Sequence, residues 1–282
     1  MAEESREERE PGMPGEDRLN LAFRLEESEL PPEEGEEKKG EADSPPRAQE
    51  GAVPAEPAPA EVPEETDEPG PGDDPGEWYY QRGKRMTEAG RLHEAVESYR
   101  RVLAGAPLHV KARNNLALVY DSLGLLDQAL TEMKTALELE PRNVEVRANL
   151  GALLGEHGRF DEAEREFRRA LEVAPEDPRI HFNLGLVHFR KGLYSRAIPE
   201  FERAVSLRQD HREATYYLAQ SYNLTAAYEK AITVFERLIE LDPENHRAHW
   251  YLGMLHDRRK DHETARRYYQ AAYRLRRQGQ GD

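Results

Sequence analysis

Residues 110–143 read VKARNNLALVYDSLGLLDQALTEMKTALELEPRN, and residues 144–177 read VEVRANLGALLGEHGRFDEAEREFRRALEVAPED. Laid over each other, they agree in kind column by column: Ala117 over Gly151, Gly124 over Gly158, Ala129 over Ala163, Met133 over Phe167, Ala136 over Ala170 and Pro141 over Pro175. The columns continue outward in both directions at a constant step of 34 residues. Alanine stands at Ala95, Ala129, Ala163, Ala197, Ala231 and Ala265, and a bulky apolar residue follows four later at Tyr99, Met133, Phe167, Phe201, Phe235 and Tyr269. A small residue stands twelve positions before each alanine, at Gly83, Ala117, Gly151, Gly185, Ala219 and Gly253. Six units therefore fill 76–279 without insertion, as 76–109, 110–143, 144–177, 178–211, 212–245 and 246–279. A fixed period of this length marks a repeat architecture, in which a unit buries its apolar face only against its neighbours.

Each unit reads as two helices. Leu116, Ala117 and Tyr120 share one helical stripe, and Ala129, Met133 and Ala136 share another. Gly90, Gly124, Gly158 and Gly192 end the first helix and turn the chain. Pro107, Pro141, Pro175 and Pro243 close the second. Some units depart from the pattern. Gln209 and Arg277 replace the closing proline, Ala226 and Lys260 replace the turn glycine, and Pro199 falls within a second helix, either in its first turn or as a kink.

The ordered columns of small residue, aromatic, alanine, aromatic, alanine and proline resemble the tetratricopeptide repeat family over nearly three-quarters of the chain. The resemblance implies an all-α, right-handed superhelical solenoid of helix-turn-helix hairpins. It also implies that the first helix of each unit lines a concave groove that receives a peptide or a partner helix. The columns on that wall put Tyr80, Gln81, Lys84, Asn114, Asn115, Asn149, Phe182, Asn183, Tyr216, Tyr217, Trp250 and Tyr251 in the groove, polar in the middle and aromatic toward the C-terminal half. An asparagine amide both donates and accepts, so a row of them can bond an extended backbone whatever its side chains. Trp250 and Tyr217 are the favoured aromatic contacts, because aromatic anchors carry much of the energy of many interfaces; the alternative is that such rings pack between helices.

Charge on this wall alternates, with Lys111, Arg179 and Arg247 in one column with Glu145 and Glu213. Some members of the family clamp the C-terminal carboxylates of chaperone tails with a Lys/Asn/Asn/Lys/Arg set. Tyr80, Lys84, Glu145 and Asn149 do not supply it. In the last unit His246, His249, His256 and His262 crowd together with Asp257 and Asp261. His249 and His256 are two turns apart, about 10 Å at 1.5 Å per residue, too far to share one ion unaided; no metal and no cofactor is expected. Tyr268, Tyr269 and Tyr273, rimmed by arginines, mark a face for self-association into a homo-oligomer.

The remaining segment is of another kind. Residues 1–75 hold 25 of the 56 acidic residues, 7 of the 40 basic ones and 13 of the 19 prolines, a net of −18 against +2 for 76–282. Low hydrophobicity and high charge leave too little apolar area to offset backbone ordering, so 1–75 reads as a disordered acidic tail and 280–282 as a short C-terminal end. One island interrupts the tail: Asp17–Leu30, DRLNLAFRLEESEL, has Leu19, Leu21, Phe23 and Leu25 close together and reads as a short helix that folds on a partner or, through Phe23, in cis on the repeats. The nearly neutral repeat region argues against nucleic acid. No run approaches the ~20 apolar residues of a membrane span, and the acidic start is unlike a secretory leader, so the expected setting is the cytoplasm. The absence of cysteine removes disulfides and thiol chemistry. The function read from these features is a non-catalytic scaffold or adaptor that grips a peptide or helix of a partner. The alternatives are a regulatory or substrate-recruiting subunit of an enzyme, secretion or organelle-assembly complex, and a self-assembling structural protein.

Overall fold

The computed structural model describes residues 68–279. The acidic tail up to residue 67, with the Asp17–Leu30 island, and residues 280–282 lie outside the described residues. Twelve helices are described: α1 Pro75–Glu88, α2 Leu92–Gly105, α3 Val110–Ser122, α4 Leu126–Leu139, α5 Val144–Glu156, α6 Phe160–Leu171, α7 Pro178–Arg190, α8 Tyr194–Leu207, α9 Arg212–Leu224, α10 Tyr228–Leu241, α11 His246–Arg258 and α12 His262–Gly279. Odd and even helices pair into six hairpins, and the second helix of each hairpin packs on the first helix of the next. No strand occurs among the described residues.

The repeat columns account for this arrangement locally. Every first helix opens on a side-chain cap: Asp74, His109, Asn143, Asp177, His211 and Asn245 each accept a backbone N–H from the first turn, at 2.8–3.4 Å. Every first helix also closes in the same way. A backbone N–H reaches back five residues, from Arg91 to Met86, Leu125 to Tyr120, Arg159 to Leu154, Leu193 to His188, Ala227 to Tyr222 and Asp261 to His256. This closure needs a left-handed residue. Gly90, Gly124, Gly158 and Gly192 supply it at φ 72–73°, and Ala226 and Lys260 adopt it at 60° and 63° without glycine's freedom.

The small-residue column sets how closely the two helices of a hairpin approach. A Cβ added at Gly185 would lie 2.6 Å from the Phe201 ring, and one at Gly151 would lie 2.9 Å from Phe167. Tyr99, Phe167, Phe201 and Phe235 are fully buried by this packing. The buried apolar residues form two clusters. One runs from Met86 to Val187, the other from Phe182 to Leu255, and α7 contributes to both. Of the two placements read for Pro199, the structure excludes the first turn. The proline is the sixth residue of α8, beyond the first turn, and the helix runs through it to Leu207. The carbonyl of Ser195, its i−4 partner, is therefore left without the N–H that an ordinary residue at 199 would provide.

Candidate peptide-binding groove

The first helices carry two neighbouring columns, one through Tyr80 and one through Gln81, that meet from unit to unit. The Asn115 Nδ2 donates to the Tyr80 hydroxyl at 3.3 Å, and the Asn149 Nδ2 donates to the Asn114 Oδ1 at 2.9 Å. Further along, Phe182 packs on Tyr217 at 6.1 Å between ring centroids and Tyr216 on Tyr251 at 6.2 Å. These contacts join residues 35 apart and form one lateral ladder down the stack. By the same 35-residue step Ala148 stands opposite Asn183, and an alanine has nothing to offer an amide. Asn183 is fully buried, and neither its Nδ2 nor its Oδ1 has a hydrogen-bond partner.

The other sequence-selected residues divide by depth. Asn114 and Asn149 are buried in their own pair, and the Asn114 Nδ2 also reaches the Glu145 carboxylate at 3.4 Å. Phe182, Tyr216 and Tyr217 are buried too. Tyr217 stacks on Phe201 at 5.8 Å and meets Phe189 at 5.2 Å. Gln220, in one repeat column with Lys84, ties the aromatic half together: its Nε2 donates to the Tyr216 hydroxyl at 2.6 Å and to the Tyr251 hydroxyl at 3.0 Å. Burial raises the pKa of the Tyr80 and Tyr216 hydroxyls, so both stay protonated at neutral pH. Tyr80, Gln81, Lys84, Asn115, Trp250 and Tyr251 are half-buried and face outward in part. Lys111, Glu145 and Glu213 are exposed, with Arg179 and Arg247 half-buried in the same column, so the charges of both signs line the rim.

The floor changes character along the stack. In the third unit the wall columns carry only the small side chains of Ala148 and Ala152, while Gly151 faces Phe167 within its own hairpin. The histidine caps His109 and His211 were not read from sequence, since imidazole is not a usual capping group; their place one residue before a first helix was the available signal. In the last unit His256 stacks on Tyr268 at 5.4 Å, and His262 lies 2.6 Å from Asp257. Among the described residues no group of three or more His, Asp or Glu side chains is placed to hold a metal ion.

The model of the tetratricopeptide repeat matches residues 80–144, 148–210, 192–243 and 226–281. The chain belongs to the tetratricopeptide repeat family. Solved structures similar to it include PilF of Pseudomonas aeruginosa, with TM-score 0.64 and 25% identity over 73% of this chain and 93% of that one. MamA from Desulfovibrio magneticus RS-1 aligns with TM-score 0.57 and 25% identity over 60% of this chain and 96% of that one. YrrB, described as a tetratricopeptide repeat protein with an unusual peptide-binding site, aligns with TM-score 0.57 and 22% identity over 64% of this chain and 93% of that one. A comparison with curated proteins returned no match. No described helix is long and apolar enough to cross a membrane.

Proposed function

We propose that this tetratricopeptide repeat protein is a non-catalytic scaffold whose concave wall holds an extended peptide of a partner protein, centred on the third and fourth units. One observation carries the reading: the buried, orphaned amide of Asn183, which the 35-residue register sets opposite Ala148. A buried polar group without a partner costs about 1–3 kcal/mol. A peptide main chain that parts the side chains covering this step brings a C=O and an N–H at once, which is the pair the amide lacks. Ala148 is the smallest member of its column, and the exposed carboxylates of Glu145 and Glu213 at the rim suit basic groups on the peptide.

The test is a peptide library panned on the wild type, with the selected peptide then titrated against two variants. Asn183→Ala removes the amide and is expected to weaken binding about tenfold, the value of ~1.4 kcal/mol. Ala148→Asn rebuilds at this step the pair that Asn114 and Asn149 make one unit earlier. That satisfies Asn183 internally, so it is expected to raise folding stability by about 1 kcal/mol and also weaken the peptide. Undiminished binding by both variants would remove Asn183 from the site.

A further inference from the structure

The second feature the groove leaves unexplained lies at the far end of the ladder. Tyr217 sits against two rings of the preceding unit, Phe182 at 6.1 Å and Phe201 at 5.8 Å. Tyr251 repeats the arrangement, against Tyr216 at 6.2 Å and parallel to Phe235 at 5.1 Å. The next members of the two supporting columns are Trp250 and Tyr269. Both are half-buried, where Phe182 and Phe235 are covered, and among the described residues nothing supplies the ring that would lie on them. Beside them Tyr273 is 43% exposed in a column whose earlier members, Leu103, Leu137, Leu171, Val205 and Ile239, are packed into the core. The helix bearing this face, α12, is strongly basic, with Arg266, Arg267, Arg274, Arg276 and Arg277 against one carboxylate, Glu263.

The chain itself contains a matching element. Residues 1–67 carry 22 acidic and 7 basic residues and a single aromatic, Phe23. Leu19, Ala22, Phe23 and Leu30 fall on one stripe of the helix read for Asp17–Leu30, with Glu26, Glu27 and Glu29 alongside. We propose that the Asp17–Leu30 segment docks in cis on the C-terminal end of the stack, Phe23 covering Trp250 and Tyr269 and its glutamates facing the α12 arginines.

Reach permits it. Phe23 precedes Pro75 by 52 residues, which span up to ~170 Å when extended. Twelve helices spaced ~8–10 Å apart trace a path of roughly 100 Å. Tethering of this kind gives effective concentrations of the order of 1 mM. A segment with a dissociation constant of ~0.1 mM would thus be docked about ten times more often than free. The proposal is independent of the peptide-groove reading, because it concerns the chain without ligand.

The experiment uses the full chain. Its lack of cysteine makes Arg24→Cys with Gln270→Cys a clean pair. Mild oxidation is expected to give an intramolecular disulfide in high yield, lost when Phe23→Asp is added and reduced in high salt. Phe23→Asp lies outside the repeats and leaves their folding untouched. In a parallel measurement, Trp78→Phe leaves Trp250 as the only tryptophan. Adding Phe23→Asp is expected to shift its emission to the red and raise its quenching by acrylamide several-fold. A disulfide yield that ignores Phe23, or an unchanged Trp250 signal, overturns the proposal. Disulfides that form only between molecules overturn it in favour of a second copy as the occupant.

Discussion

At the scale of single residues, the structure shows where the repeat pattern has been broken. Ala226 and Lys260 adopt the left-handed turn that four other units give to glycine, and a non-glycine residue there costs about 1–2 kcal/mol. Ala226→Gly is therefore expected to raise stability by about 1 kcal/mol in urea denaturation, whereas Gly158→Ala, at φ 73°, is expected to lower it by a similar amount. Equal stabilities would show that the turn relaxes at no cost. His188 is a different kind of break. Its column holds Met86, Tyr120, Leu154 and Tyr222 and, in the last unit, a second histidine, His256; burial depresses the His188 pKa below the ordinary imidazole value despite the nearby Glu164 and Glu200, with Arg168 and Lys191 adding to the depression. The folded chain then takes up this proton less readily than the unfolded chain, so stability is lost as pH falls below ~6.5. His181, raised by its bond to Glu200, acts in the opposite sense, giving stability at low pH that fades as pH rises through its folded value. His188→Leu should remove the first effect alone. The urea midpoint at about pH 5.5, taken relative to that at about pH 7.5, should then be higher in His188→Leu than in His181→Gln, where the His188 effect is left unopposed.

At the scale of elements, α8 carries a strain that its sequence announces. Pro199 removes a helical hydrogen bond and crowds the Ser195 carbonyl, a defect worth up to about 3 kcal/mol in a helix interior. Because the residue is exposed, Pro199→Ala should recover about 1–3 kcal/mol without repacking the core, measured as a higher thermal midpoint with an unchanged circular dichroism spectrum. A lower midpoint would mean that the proline has a structural partner. The helices themselves were legible because the period of 34 fixes glycine, alanine and aromatic columns whose roles are local: a left-handed turn, a close approach, a ring that fills the gap. The ladder was legible only in its membership. Sequence columns align residues 34 apart, but the contacts run between residues 35 apart, from one column to its neighbour. That shift decides that Asn149 meets Asn114 and that Asn183 stands opposite an alanine. It also explains why Tyr217, favoured as a contact residue, is buried among Phe182, Phe189, Phe201 and Tyr216. Depth within a stack depends on what neighbouring units place beside a residue, which no single column contains.

At the scale of the whole molecule, the stack is a chain of nearest-neighbour contacts, so its cooperativity depends on the helices that join its parts. The buried apolar residues divide into two clusters that meet on α7, where Ile180, Leu184 and Val187 belong to the first and Phe182 and Leu186 to the second. Alternate positions of one helix thus link the N-terminal three units to the C-terminal two. Leu184 is almost wholly buried, and cutting it to alanine opens a cavity worth about 2–5 kcal/mol. In a compact globule that loss lowers one transition. In a stack it falls on the seam, and the two sides should then unfold separately. Trp78 in α1 and Trp250 in α11, the only tryptophans, report on opposite ends. Single-tryptophan versions of the wild type, made with Trp78→Phe or Trp250→Phe, are expected to give coincident urea transitions, and the same pair carrying Leu184→Ala to give transitions at different urea concentrations. Leu252→Ala, of equal chemistry but remote from the seam in α11, provides the contrast: it should lower the Trp78-reported midpoint far less than Leu184→Ala does. Coincident transitions in the Leu184→Ala pair would mean that the six hairpins unfold as one body and that α7 is no seam.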